Sequence, residues 1–448
     1  MPRALGRNSV VIGAGMGGLA AAAVLANYFE HVTVVERDAL SREALPRPGT
    51  PQSYHPHGLL KGGLDALCTL FQGFELDLCQ AGAVKVRLNL DGIEEIPGHE
   101  PHFPRRDFGW TGYGMSRPLI EFVTRRRLLQ MNNVALRDHC RAVEILAGDD
   151  GEVAAVRCQS ANGAVETIEA DIVVDATARG ALTLAFLKTT GRVQPEQTSV
   201  GIDMSYASTT FAVPQGPRDW KVVLTFPDMP ASAGAGYILP IEGDRWMVII
   251  GAWHETLRPL DGDAFVELAR GLRTSTVYDA IKDARRLDKL HRFSFPESCW
   301  QHYDRLEDFP GGLLPIGDAV CRFNPIYGQG MAVALQEAAM LRGLLQHREA
   351  GTDRLAGLGR AYLAAIQPLI AAAWSQSVIP DFAYPQTRGE RPADLENSLR
   401  ISRALMRVAA RDPDVHRTLI AIRHLIEPPT ALHEPTLARR IEAEMTAS

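Results

Sequence analysis

The sequence predicts an α/β chain: a Rossmann-like domain, an inserted mainly β domain and a helical C-terminal region. Three observations predict it. A strand–glycine turn–helix–strand unit opens the chain between Ser9 and Glu36. From about Gly191 to Phe295 the pattern changes to longer alternating segments, as in an antiparallel sheet with one packed face. From residue 347 onward the apolar spacing is that of helices.

The opening unit reads SVVIGAGMGGLAAAAVLANYFEHVTVVE. Val10, Val11 and Ile12 form a buried strand that runs into Gly13-x-Gly15-x-x-Gly18 and an Ala/Leu-rich helix. Gly13 suits a tight turn, Gly15 close approach of backbone to a pyrophosphate, and Gly18 tight packing of helix on strand. Free N–H groups and a partial positive charge at the helix N-terminus face the phosphates. The second strand, Val32–Val35, delivers Glu36 eighteen residues beyond Gly18, where a carboxylate accepts the hydroxyls of an adenosine ribose. Arg37 stands beside it as a further cofactor-binding candidate. An ordinary glycine-rich βαβ turn would leave Glu36 unexplained.

After a Pro/Arg-rich loop comes QSYHPHGLLKGGLDALCTLF. His55-x-His57 lacks a third ligand at sensible spacing, so it reads as a satisfied polar pair before a helix carrying Leu60, Leu64 and Leu67, not a metal site. Residues 82–115 turn to short strand-like pieces with Gly and Pro, an excursion in which Arg105, Arg106 and Asp107 read as a solvated charged loop. Helix returns at SRPLIEFVTRRRLLQ, with Ser116 as N-cap and Pro118 in the first turn. Short strands follow near Val134–Leu136, Ala142–Leu146 and Val153–Cys158, then a buried strand ending on Asp175. In the β region the expected strands are Ser199–Val213, Val222–Phe226, Tyr237–Ile241 and Trp246–Trp253, with a helix near Ala264–Arg270. Near the end, Asp412 caps a helix starting at Pro413 whose stripe of Val415, Leu419, Ile422 and Ile426 docks on the body. The expected organisation is 1–81, 116–190 and 296–346 as three parts of one nucleotide-binding domain, 82–115 and 191–295 as the substrate domain, and 347–448 as the helical region.

Bulk composition narrows the function classes. The 448 residues carry 47 basic and 53 acidic side chains, a net charge of −6, so no nucleic-acid partner is implied. Six scattered cysteines without a Cys-x-x-Cys pair read as reduced thiols, not as a zinc site or disulfide framework. No apolar leader and no run of ~18 uninterrupted apolar residues is visible, so a cytoplasmic protein without a transmembrane segment is expected.

A second motif stands three hundred residues from the first. Strand Gly312–Ile316 delivers Gly317-Asp318-Ala319, followed by VCRFNPIYGQGM and a helix over Ala332–Gln346. Asp318, at the end of a strand, suits a hydrogen bond from a ligand hydroxyl, and Pro325 stiffens the loop that follows. Gly328 and Gly330 let backbone close in and aim helix N–H groups at a ligand edge that carries negative charge.

Together, the Gly13–Gly18 unit, the Asp175–Ala176 turn and GDAVCRFNPIYGQGM make roughly the first 345 residues resemble the flavoprotein monooxygenases of the para-hydroxybenzoate hydroxylase fold. Within that group the chain is similar to bacterial polyether-type flavin epoxidases and squalene-epoxidase-like enzymes. The resemblance implies a Rossmann-like FAD-binding domain and FAD as cofactor, and assigns Arg117 of SRPLIE to the helix that opens beside the FAD. It also implies a C4a-hydroperoxide route from O₂ to a small apolar, natural-product-type substrate, by epoxidation or hydroxylation. Electrons come from NAD(P)H, directly or through a flavin reductase. The middle motif departs from the family's Asp-Ala-x-Gly-Arg-x-Ser: Ala178 replaces the glycine and Ala181 the serine. That departure puts direct nicotinamide reduction in question. The halogenase mark Trp-x-Trp-x-Ile-Pro is absent. No catalytic acid or base stands out, although His55, His57 and His254 offer candidates for a hydroxylase base. The alternatives are an FAD-dependent alkene reductase or saturase on the same scaffold, and a non-catalytic flavin-fold binding protein.

Overall fold

Uniformly apolar short strands belong in a parallel sheet covered on both faces, and that is where SVVI lies. In the computed structural model, which describes residues 4–257, 261–348 and 355–447, Gly6–Ile12 is the central strand of a five-stranded parallel sheet. The order is Leu313–Pro315, Ile172–Asp175, Gly6–Ile12, Phe29–Val35, Val134–Arg137. Helices Met16–Leu25 and Gln329–Gln346 pack on each other against it. Register decides what the sheet is for. Ile12 is aligned with both Val35 and Asp175, and Asp175 with Pro315. The turns that follow all four strands therefore emerge at one carboxyl edge, the place where open α/β sheets bind ligands.

The second sheet has seven strands, in the order Cys321–Arg322, His291–Gln301, Gln197–Ala212, Arg245–Ala252, Gly234–Ile241, Val222–Thr225, Gly92–Glu95. Alternation splits it into two faces. Ile238, Val248, Ile250 and Val223 pack outward on helices Gly262–Arg270 and Thr276–Ile281 through Phe265, Ala269, Val277 and Ile281. Ala235, Tyr237, Ile249 and Tyr206 face inward and join the core of the nucleotide domain. The boundary expected at 295/296 falls inside the strand His291–Gln301, because that strand stays paired with Gln197–Ala212 to its end.

The C-terminal helices are Leu358–Asp381, Leu395–Arg411, Pro413–Arg423 and Pro435–Ala447. Asp412 caps the third, accepting from the backbone N–H groups of Asp414 and Val415, and Val415, Leu419 and Ile422 are buried. Residues 1–3, 258–260, 349–354 and 448 of the expected segments lie outside the described residues. The reading of Arg105–Asp107 as a solvated loop is corrected. Arg105 bonds Asp219 and the Leu90 carbonyl, and Arg106 bonds the carbonyls of Ala409 and Ala410 and the His416 ring. These are clamps on distant elements. Among the described residues one helix, Leu358–Asp381, is long and apolar enough to cross a membrane; 44% of its apolar window is buried inside the protein.

Candidate cofactor and substrate site

The first strand ends on Gly13, whose φ of 103° is open to glycine alone at low cost. A Cβ on Gly18 would collide with the Gly13 carbonyl, which explains why helix and turn lie so close. At Gly15, which has no side-chain cap and starts the helix, the nearest atom to a built Cβ is Arg117 Nη2 at 3.9 Å. A strip of uncapped helix N-terminus thus faces a guanidinium across open space, a cradle shaped for a pyrophosphate.

Glu36 is buried at the same edge. Its Oε2 accepts from Ala14 N–H at 2.8 Å and its Oε1 from Asp38 N–H at 3.0 Å. The arginine that joins it is Arg47, with Nη1 3.1 Å from Glu36 and 2.8 Å from Asp38, and Nε 2.8 Å from Glu121. Glu121 in turn binds Arg117 Nη2 at 3.1 Å. An ionic chain therefore links the Glu36 end to the Gly15 end. Arg37 stands apart: its side chain is 64% exposed and reaches only to 4.0 Å from Asp38.

The second motif meets the first through helix packing, since a Cβ on Gly17 would lie 3.2 Å from Ala334 Cβ. Arg117 Nη1 also lies 2.9 Å from Met331 Sδ. Asp318 leaves Gly317 (φ 63°) with its carboxylate 3.7 Å from the Cβ position of Gly330. The carboxylate keeps open surface although protein surrounds it, as expected of a group on the floor of a cleft. Burial pushes it up to about 6, against the pull of Arg322 and Arg117. Pro325 opens a 3-10 turn, Pro325–Tyr327, and Gly328 (φ 69°) passes the chain into Gln329–Gln346 without a side-chain cap. The Gln329 Oε1 atom is buried with no partner among the described residues. Uncapped N–H groups, an orphaned amide oxygen and a carboxylate on a cleft floor fit a flavin dinucleotide.

Two positioning acids were not foreseen from the sequence. Glu337, fully buried, accepts from Gly317 N–H at 2.6 Å and so holds the turn that presents Asp318. Burial, with Asp318 adding to it, pushes Glu337 up to about 8. Asp381, at the end of a C-terminal helix, accepts at Oδ1 from Asn324 Nδ2 (2.9 Å), Tyr327 Oη (3.1 Å) and Trp253 Nε1 (2.8 Å). It thereby fixes the 324–328 loop to the inner sheet; its Oδ2 is buried without a partner, and burial pushes the carboxyl up to about 7. An acid inside an apolar helix face was the only signal for Glu337, and Asp381 had none.

Opposite the cofactor edge lies the inner face of the seven-stranded sheet. Pairing places Glu94, Leu224, Tyr237, Ile249 and Ser208 in one row across it. The His55–Gly58 loop bridges the two sides: a Cβ on Gly328 would lie 3.6 Å from the Gly58 carbonyl, and one on Gly58 3.7 Å from Leu239. His55 Nδ1 bonds Ser208 Oγ at 2.8 Å, and its ring packs edge-on to Tyr206. His57 Nδ1 lies 2.8 Å from the His55 carbonyl, which leaves Nε2 as the accepting nitrogen. Burial and the Arg117 charge push His57 down to about 4, so it is neutral near pH 7. His254 is tied by Nε2 to Thr387 at 3.0 Å. Asp175 is spent internally, its carboxylate accepting from the N–H and hydroxyl groups of Thr177 and Thr183.

No protein-family model matches the chain. Protein Rv3254 of Mycobacterium tuberculosis (strain ATCC 25618 / H37Rv) is 33% identical over 409 residues, covering 86% of this chain and 84% of that protein. Among solved structures, the flavin-dependent brominase Bmp2 superposes with a TM-score of 0.65 at 16% identity, covering 94% of this chain and 93% of that one. PqsL, a probable FAD-dependent monooxygenase from Pseudomonas aeruginosa, gives 0.61 at 16% identity, with 84% and 97% covered. The oxygenase of 2-methyl-3-hydroxypyridine-5-carboxylic acid gives 0.57 at 18%, with 84% and 91% covered. At these identities the likeness is one of fold: the α/β fold that FAD-dependent monooxygenases use.

Proposed function

Because the chain belongs to the family of Protein Rv3254 and carries the FAD-dependent monooxygenase fold, we propose that it is an FAD-dependent monooxygenase acting on a small substrate. The observation that carries the reading is the convergence of two motifs, three hundred residues apart, on one cleft: the Gly13–Gly18 cradle with Arg117, and Asp318 beside Gly330. In this reading Gly13, Gly15, Gly18, Glu36 and Arg117 take the adenosine–pyrophosphate end, with Arg47 joining through Glu36. Asp318, Pro325, Gly328 and Gly330 take the ribityl–flavin end. Arg37 is left a surface role. When bound, FAD supplies activation of O₂ and delivery of one oxygen atom.

The chain's own residues bind, orient and exclude water. Tyr237, Leu239 and Ile249 wall the chamber with apolar surface, and Glu337 and Asp381 hold the two cofactor loops in place. Epoxidation of an unsaturated substrate needs only such a dry, oriented chamber. Hydroxylation of a phenol or enol is the second reading, favoured by the neutral His57 beside Arg117, whose Nε2 would take the substrate's proton. Electrons come from NAD(P)H, directly or through a flavin reductase; the internally satisfied Asp175 turn favours the reductase. The missing Trp-x-Trp-x-Ile-Pro motif argues against halogenation despite the likeness of fold to Bmp2. The purified protein should be yellow with non-covalent FAD and, once reduced, should consume O₂. A colourless protein that does not take up added FAD contradicts this function.

A further inference from the structure

The far end of the chamber holds a cation that the monooxygenase reading does not use. Arg423 closes the helix Pro413–Arg423 and reaches Glu94, the end residue of the inner-face row, with Nη1 2.7 Å from Oε2. Protein surrounds Arg423 on all sides, yet 32% of its side-chain surface stays open, against 12% for Glu94. The guanidinium lies at the Glu94 end of the inner-face row, beside Phe226. Nε and Nη2 have no hydrogen-bond partner among the described residues. The guanidinium carbon stands 5.9 Å from the Phe226 ring, and Tyr237, next but one in the row, is close enough to feel its charge. His424 and His416, the neighbouring rings, are both pushed down to about 4 by burial and nearby cations, so neither competes as a cation near pH 7.

The placement is rigid. Lys61 N–H donates to His424 Nδ1 at 3.3 Å, Gly62 N–H to the His424 carbonyl at 2.9 Å, and Gln336 Nε2 to the Leu425 carbonyl at 2.7 Å. Gln336 belongs to the helix that starts on the Gly328 turn, so the same element sets both the flavin-facing loop and the position of Arg423. The Glu94 contact engages Nη1 alone, so Nε and Nη2 remain open donors. A planar fork with free N–H groups is what an oxyanion binds.

We propose that Arg423 anchors an acidic oxygen group of the substrate, a carboxylate or an ionised enol or phenol, and so orients the substrate's apolar remainder toward the Tyr327–Gly328 turn. The proposal rests on the chamber being the substrate site of the reading above. Titration calorimetry on the purified holoprotein with 2-naphthoate and its neutral methyl ester tests it without turnover. The acid should bind about 10- to 100-fold tighter than the ester. Arg423→Gln should remove that preference, and Arg423→Lys should restore part of it. Glu94→Gln, which leaves the guanidinium uncontested, should tighten binding of the acid. Equal affinity for acid and ester in the wild type, or equal weakening of both by Arg423→Gln, overturns the anchor. Should Arg423→Gln fail to fold, Glu94→Gln decides: no gain for the acid overturns it. A protein that binds the acid as described yet fails to consume O₂ would contradict the oxygenase reading and leave the anchor standing.

Discussion

Asp318 sits where a single carboxylate can be read twice, once by the cofactor and once by its own burial. Asp318→Ala should weaken FAD retention by about 1.5–3 kcal/mol, the cost of one charge-assisted hydrogen bond. Fluorescence titration of the refolded or stripped protein checks this, and unchanged affinity contradicts the assigned role. Asp381 gives a pH test of a different kind. Its folded pKa, about 7, lies above its ordinary value of 3.8. The folded state therefore holds an extra proton between those values, and the stabilisation this gives is full below 3.8 and lost as pH rises through 7. Asp381→Asn cannot lose that proton. Its stability should thus rise relative to wild type between about pH 4 and pH 7, by up to ~1.4 kcal/mol for each step of one in pH. Thermal midpoints measured side by side check this, and a constant difference across that range contradicts a buried, proton-holding Asp381. The contrast between the two acids explains what was legible. Asp318 stands in a spacing pattern with Gly317, Pro325, Gly328 and Gly330. Asp381 and Arg423 act through partners far away in sequence, and Glu337 and Arg47 through partners at no recognisable spacing, so no motif marks them.

Elements built on periodicity are legible in the sequence. The glycine unit, the strand ending on Asp175, the Asp412 cap and the long β segments lie within a few residues of expectation, because apolar alternation and capping chemistry are local. What the sequence hides depends on docking. Arg105 and Arg106 look like a solvated pair until the C-terminal helices arrive, and then Arg106 closes off the carbonyl ends of Leu395–Arg411. Cations suit that end of a helix through both hydrogen bonds and dipole. Arg106→Ala should therefore loosen this helix ahead of the sheets. Hydrogen exchange should show earlier labelling of Ala404–Arg411 with the amides of Gly6–Ile12 unchanged; equal protection in both proteins contradicts the clamp. The same logic explains why the strand His291–Gln301 overran the expected boundary: its partner, Gln197–Ala212, is nearly a hundred residues away.

At the scale of the molecule, the parallel sheet presents four turns at one edge, and the seven-stranded sheet lays a mostly apolar face over them. The C-terminal helices contribute from outside the nucleotide-binding part, through Asp381 to the flavin-facing loop and through Arg423 to the chamber wall. That arrangement favours a reaction in which a cofactor carries the chemistry and the protein excludes water. It does so more than one built on an acid–base pair. An alkene reductase on the same scaffold would use the same cleft without O₂. The most direct measurement separates them: the reduced protein is given ¹⁸O₂ and an alkenyl aromatic carboxylic acid, and the product is examined by mass spectrometry. A monooxygenase should place one ¹⁸O atom in each product molecule and show no turnover under anaerobic conditions. Turnover that proceeds equally well without O₂, or product free of label, would contradict it.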